Sequence, residues 1–153
     1  MSAERFSLDT NVLVYAIDHL AGDKHEVCKD LMRRSASADC VLTAIALGEF
    51  FVAITRKGKM PVSHAAAQVR DWGEVFPVVG LDAADIQVAI AAAEKRRFGF
   101  WDACVLASAQ AGGCSIVLSE DMADGAQLGS VVVRRPFVDG KLTKTAERLL
   151  GSP

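Results

Sequence analysis

The sequence predicts an α/β fold: a three-layer α/β/α sandwich around a central, mainly parallel sheet of four to five strands. Three observations lead there. Short apolar runs alternate with longer helical stretches along the chain. Those runs are nearly continuous in Val, Ile and Leu, the pattern of strands covered on both faces. The 153 residues, 51% hydrophobic and 24% charged, suit one domain with a substantial core. No internal repeat, low-complexity tract or linker divides them.

Phe6 to Asp9 reads as a short buried first strand, followed by a helix from Asn11 to Leu20. Lys24 to Ala36 is a second helix with Val27 and Leu31 inward. Asp39 to Thr43 is the second strand and runs into a long helix ending near Gly58, with basic residues in its last turn. Pro61 and Ser63 start the next helix, through Phe76, with Ser63 read as its cap. Pro77 to Leu81 is a third strand. Asp82 caps an alanine-rich helix, Ala83 to Arg97. After the turn Phe98-Gly99-Phe100, a helix spans Trp101 to Ala111 and stops at Gly112-Gly113. Cys114 to Leu118 and Ser130 to Arg134 are the fourth and fifth strands, joined by a loop from Ser119 to Gly129. Beyond residue 137, Leu142, Ala146, Leu149 and Leu150 have helical spacing. The chain is therefore divided as a domain over 1–137 and an extension over 138–153 that forms a short helix.

The longest apolar stretch, Val41 to Ile54, is too short for a membrane span and carries Glu49 in its middle. The amino terminus has no basic segment leading into an apolar one, so the expectation is a cytoplasmic protein without membrane contact. Cys28, Cys40, Cys104 and Cys114 are widely spaced and read as reduced and buried. A net charge of −2 does not advertise a nucleic-acid binder.

Four acidic residues stand apart from this background. Asp9 ends the first strand, Glu49 lies in the second turn of the helix after strand two, Asp102 opens a helix, and Asp121 follows the fourth strand. In an α/β sheet the carboxyl ends of strands and the amino ends of helices share one edge, where ligands bind near the switch in strand order. All four fall on that edge. Asp9 and Asp102 could each be simple helix caps. Glu49 is harder to explain so, because it sits within Ala-Ile-Ala-Leu-Gly-Glu-Phe-Phe-Val-Ala-Ile with no basic residue three or four positions away. A carboxylate there needs a partner, a distant arginine or a metal ion. Converging carboxylates without histidine or cysteine suit Mg²⁺ or Mn²⁺ over zinc. One or two such ions can activate water and stabilise the leaving oxygen of a phosphodiester.

These residues resemble a known family. Asp9-Thr10-Asn11-Val12-Leu13 after a strand, a lone Glu49 in the third helix, Trp101-Asp102-Ala103, and Ser119-Glu120-Asp121 after a strand are similar to the PIN domain. The likeness spans about residues 5 to 137, and Val131 to Phe137 resembles the end of bacterial members. It implies a Mg²⁺- or Mn²⁺-dependent endoribonuclease of the VapC toxin type. Its partners would be an RNA substrate and a small antitoxin, and the family commonly dimerises. The resemblance makes Asp9, Glu49, Asp102 and Asp121 the catalytic and metal-binding carboxylates. Thr10, Asn11 and Ser119 would orient them or hold waters. Glu120, Asp121 and Asp124 all lie near the fourth site; Asp121 fits the family spacing after Ser119, and Asp124 is a candidate for a second ion.

If two divalent ions neutralise four acids, seventeen basic residues stand against fifteen remaining acids, leaving +2. Basic clusters occur at Arg33-Arg34, Arg56-Lys57 with Lys59, Lys95-Arg96-Arg97 and Arg134-Arg135. The Lys95 to Arg97 group precedes Trp101-Asp102 and is the candidate for RNA backbone contact. Two alternatives compete. A haloacid dehalogenase-type phosphatase needs a second Asp two positions after the first, where this chain has Asn11. A catalytically weak PIN-fold module that only binds RNA or protein would have no reason to keep four costly acids.

Overall fold

The computed structural model describes residues 4–56 and 58–151. Lys57 of the basic cluster above, and the outermost residues of the two predicted segments, lie outside them.

The centre of the fold is β1 (Phe6–Leu8) paired in parallel with β4 (Ile116–Leu118). β6 (Val131–Arg134) continues the sheet in parallel beside β4, and β5 (Gln127–Leu128) closes that edge antiparallel to β6. On the other side β2 (Leu42–Thr43) pairs in parallel with β3 (Val78–Val79). A parallel bridge between Phe6 and Cys40 joins β2 to β1, with the Val41 amide 3.0 Å from the Phe6 carbonyl. The resulting order is 3-2-1-4-6-5, and its direction switches between β1 and β4.

Alternation along the strands divides the core into two layers. Phe6, Leu8, Ile116 and Leu118 point to one face and meet α1 (Thr10–Ile17), α2 (Asp23–Ser35), α3 (Ala44–Arg56) and α4 (Val62–Val75). Val117, Val131 and Val133 point to the other, against α5 (Ala83–Glu94) and α6 (Phe100–Ala111). The three-layer sandwich expected from alternating apolar runs is the fold observed. Buried Phe50 and Trp72 meet edge to face at 4.8 Å, tying α3 to α4.

Several boundaries differ from the sequence reading, each for a local reason. α1 stops at Ile17 because Asp18 turns extended and its carboxylate caps Leu20, opening a 3₁₀ turn over His19–Ala21. Ser63 does not cap α4; the helix opens at Val62 behind Pro61 without a side-chain cap. α5 ends at Glu94, short of Arg97. Arg96 is left-handed (φ 54), its amide bonds to Ala93 and that of Arg97 to Ala92, the double bond of a Schellman stop. The loop after β4 contains β5. Beyond it β7 (Phe137–Val138) and β8 (Lys141–Leu142) form a hairpin, so Leu142 belongs to a strand and not to the helix. α7 (Lys144–Leu150) is capped by the Thr143 hydroxyl and buries Ala146, Leu149 and Leu150 in the first core layer. The four cysteines are buried and free. No helix among the described residues is long and apolar enough to cross a membrane.

Candidate active site

The site forms where the sheet switches direction. The Asp9 amide donates to the Leu118 carbonyl (3.0 Å) and the Ser119 amide to that of Arg134 (3.0 Å), so the ladder runs unbroken into both residues. Asp9 caps α1, accepting from the Thr10 amide at 2.8 Å through Oδ1. Its other oxygen accepts from Ser119 Oγ at 2.7 Å and Asn11 Nδ2 at 3.0 Å. Asn11 Nδ2 also reaches Ser119 Oγ (3.2 Å), which in turn accepts the Met122 amide. Thr43 Oγ1 accepts the Ala46 amide and starts α3 directly from β2. One turn on, Glu49 accepts the Thr10 hydroxyl at 3.1 Å. Thr10, Asn11 and Ser119, expected to orient the carboxylates, make these contacts.

Asp9, Glu49, Asp102 and Asp121 all line one cavity of about 330 Å³, together with Thr10, Asn11 and Tyr15. Their electrostatics are those of a charge cluster without a counter-ion. Asp9 is only 4% exposed, and burial pushes its carboxyl up to about 6. The bonds from Ser119 and Thr10 oppose that rise, while Asp102 and Glu49 add to it. Glu49 is raised by burial and by Asp102, and Asp102 by burial and by Asp121. Among the described residues none of the four carboxylates has an ion-pair partner, so the distant arginine considered for Glu49 is not found.

Among the described residues, no three His, Cys, Asp or Glu side chains converge closely enough to hold an ion as they stand. The donor set nevertheless fits a hard divalent cation: all of its donors are carboxylate oxygens, and the proton affinity raised at Asp9, Glu49 and Asp102 is what a cation would relieve. Like charges without a cation repel one another, in keeping with that spacing.

Glu120 and Asp124 are turned elsewhere. Glu120 accepts the Tyr15 hydroxyl (2.9 Å) and Lys24 Nζ (2.8 Å), with Lys24 5.1 Å above the Tyr15 ring. Asp124 accepts the Arg135 amide at 3.0 Å and faces Arg134 Nε at 3.4 Å, outside the cavity. Arg97 donates to the Gln127 carbonyl at the sheet edge, and Lys95 and Arg96 are exposed. Tyr15 and Lys24 were missed by sequence reasoning. The available signal for Tyr15 was its place four residues after Asn11 on one helical face.

The model of the PIN domain family matches residues 7–123. No curated protein matches the chain. A chain of VapBC from Salmonella typhimurium, bound to DNA, superposes with TM-score 0.63 and 18% identity, over 86% of this chain and 98% of that one. VapC20 of Mycobacterium tuberculosis, described as a sarcin-ricin loop cleaving toxin, gives 0.62 and 22% over 83% and 98%. VapBC2 of Rickettsia felis, bound to a DNA fragment from its promoter, gives 0.62 and 14% over 86% and 98%. With the family model covering most of its length and the carboxylates at the switch of a 3-2-1-4-6-5 sheet, this chain belongs to the PIN domain family.

Proposed function

We propose that the protein is a Mg²⁺- or Mn²⁺-dependent endoribonuclease, the toxin of a type II toxin–antitoxin pair. The observation that carries this reading is the set of four carboxylates facing one cavity with no cationic partner among the described residues. Asp9, Glu49, Asp102 and Asp121 would hold one or two divalent ions. When bound, these supply positive charge to the phosphoryl oxygens and lower the pKa of a water nucleophile. The chain's own part is positional. Ser119 and Asn11 hold the Asp9 carboxylate in place, the Ser119 bond favours its ionised form, and Thr10 donates to Glu49 at the cavity. Burial of Asp9 excludes water from the base of the site.

RNA as substrate is supported by the family and by the likeness to VapC20, and a small cognate antitoxin by the likeness to VapBC structures. Lys95, Arg96 and Arg97 are proposed as RNA backbone contacts because they lie just ahead of Trp101 and Asp102 and have no ion-pair partner among the described residues.

The spread of the carboxylates is the observation that favours the second reading, a PIN module that binds without cutting. One assay separates the two. The purified chain is expected to cleave RNA with Mg²⁺ or Mn²⁺, to be silenced by EDTA, and to lose activity on Asp9→Asn or Glu49→Gln. Binding of RNA without cleavage at any divalent concentration would favour the module.

A further inference from the structure

A second cavity, of about 730 Å³, opens beside the carboxylates and shares Thr10 and Glu49 with their cavity. One wall is a single face of α3, where Ile45, Gly48, Val52 and Ala53 follow at helical spacing and Arg56 stands one turn beyond. The other wall is Trp101, 57% exposed and next in sequence to Asp102. Phe100 braces the indole from the side, ring centroids 4.9 Å apart and planes at 71°. Val52 is also open to solvent. A concave, mainly apolar recess with a few charged groups, adjoining the candidate active site, is the kind of place a ligand group occupies.

Its chemistry fits a nucleobase with its phosphate. The groove begins at Glu49, so a chain whose phosphate sits at the carboxylates has its next nucleotide beside α3. The walls are the exposed Trp101 indole and aliphatic side chains, which can take a flat ring by stacking and read no base edge. Gly48 leaves the floor clear; a Cβ there would meet nothing within 4 Å. At the far end Arg56, without an ion-pair partner among the described residues, offers a cation to an anion. Arg56 lies seven helical steps beyond Glu49, roughly 10 Å along the axis. Bases inside an A-form duplex are already stacked and cannot enter.

We propose that this groove is a stacking subsite for one unpaired RNA base beside the scissile phosphate, with Trp101 as its platform and Arg56 on the neighbouring phosphate. The proposal rests on the ribonuclease reading and narrows its substrate to single-stranded or looped RNA.

The test uses the full chain with Mg²⁺, carrying Asp121→Asn to stop turnover, and a fluorescein-labelled single-stranded oligoribonucleotide of mixed sequence. The same strand annealed to its complement is the comparison, and affinity is read by anisotropy. Trp101→Ala and Gly48→Leu are each expected to weaken single-strand binding roughly tenfold, the size of one lost stacking contact. Duplex binding should not change. Trp101→Phe, which keeps a ring, should retain most of the affinity. Arg56→Gln should reduce the slope of log affinity against log salt by about one. Gly48→Ala, which replaces a helical glycine by a better helix former, checks through its melting curve that position 48 tolerates a side chain. Unchanged single-strand affinity in both Trp101→Ala and Gly48→Leu overturns the proposal, as does an equal loss on duplex. A parent chain that sediments as a dimer and is split by Gly48→Leu also overturns it, because a second copy would then cover the groove. Cleavage by the unsubstituted chain, measured separately, reports on the ribonuclease reading, so the two failures are distinguishable.

Discussion

Asp9 carries two demands that pull against each other. As a helix cap and hydrogen-bond acceptor it is held by Thr10, Asn11 and Ser119; as a buried charge among acids it resists ionisation. A carboxyl raised in the folded state contributes stability that is present below its ordinary value near 3.8 and lost as pH rises through about 6. Glu49 and Asp102 are raised in the same direction. Glu4, Asp18 and Glu147 are lowered by their basic or hydroxyl partners and contribute stability in the opposite sense, lost as pH falls. The cluster can be isolated by its ion. Mg²⁺ should raise the melting temperature more at about pH 7.5 than at about pH 5, where a proton on Asp9 competes with the ion. Equal shifts at both pH values would count against it. Glu49→Gln keeps an acceptor for the Thr10 hydroxyl and removes a charge facing Asp102. It should abolish cleavage while leaving the metal-free melting temperature unchanged or higher. Ser119→Ala removes a bond that holds Asp9 ionised. It should move the acidic limb of the kcat/KM profile upward and cost about 10–100-fold in activity.

At the scale of elements, most of the fold was legible, and the misses share a cause. The long helices announced themselves by periodicity, but strands of two or three paired residues were drawn too long, because flanking apolar residues prolong the run without joining the ladder. β5 is too short and too polar at Gln127 to register at all. The β7–β8 hairpin did leave a signal, Asp139-Gly140, both at positive φ (51 and 74), the dipeptide of a tight hairpin turn. In the site, Glu49 was legible alone as an acid stranded among apolar residues. The choice among Glu120, Asp121 and Asp124 was not, since it depends on Tyr15, Lys24 and Arg134, which reach those loop positions only through the fold. The stop of α5 was equally hidden, because Arg96 occupies a left-handed position that usually carries glycine. Arg96→Gly should therefore raise the unfolding free energy by about 1 kcal/mol in urea titration. A loss of stability would mean that the arginine makes a compensating contact.

For the molecule as a whole, the strand order does the assembling. Reversal between β1 and β4 opens the crevice into which Asp9 and the Ser119–Asp121 loop project, and α3 and α6 bring Glu49 and Asp102 to it. On the proposed function, a chain of net charge −2 meets an anionic substrate more readily once its acidic centre is neutralised. In that reading the proposed ion would do two things, complete the chemistry and reverse the local field. Removing Lys95, Arg96 and Arg97 together should flatten the salt dependence of RNA binding, and an unchanged slope would remove them from the interface.

The dependence of RNA cleavage on Mn²⁺ tests this most directly. The rate should rise from zero in EDTA to saturation with added Mn²⁺ for the natural chain, and stay near zero throughout for Asp9→Asn. Cleavage at full rate in EDTA, or a normal Mn²⁺ curve for Asp9→Asn, would contradict a carboxylate-held ion as the source of the activity.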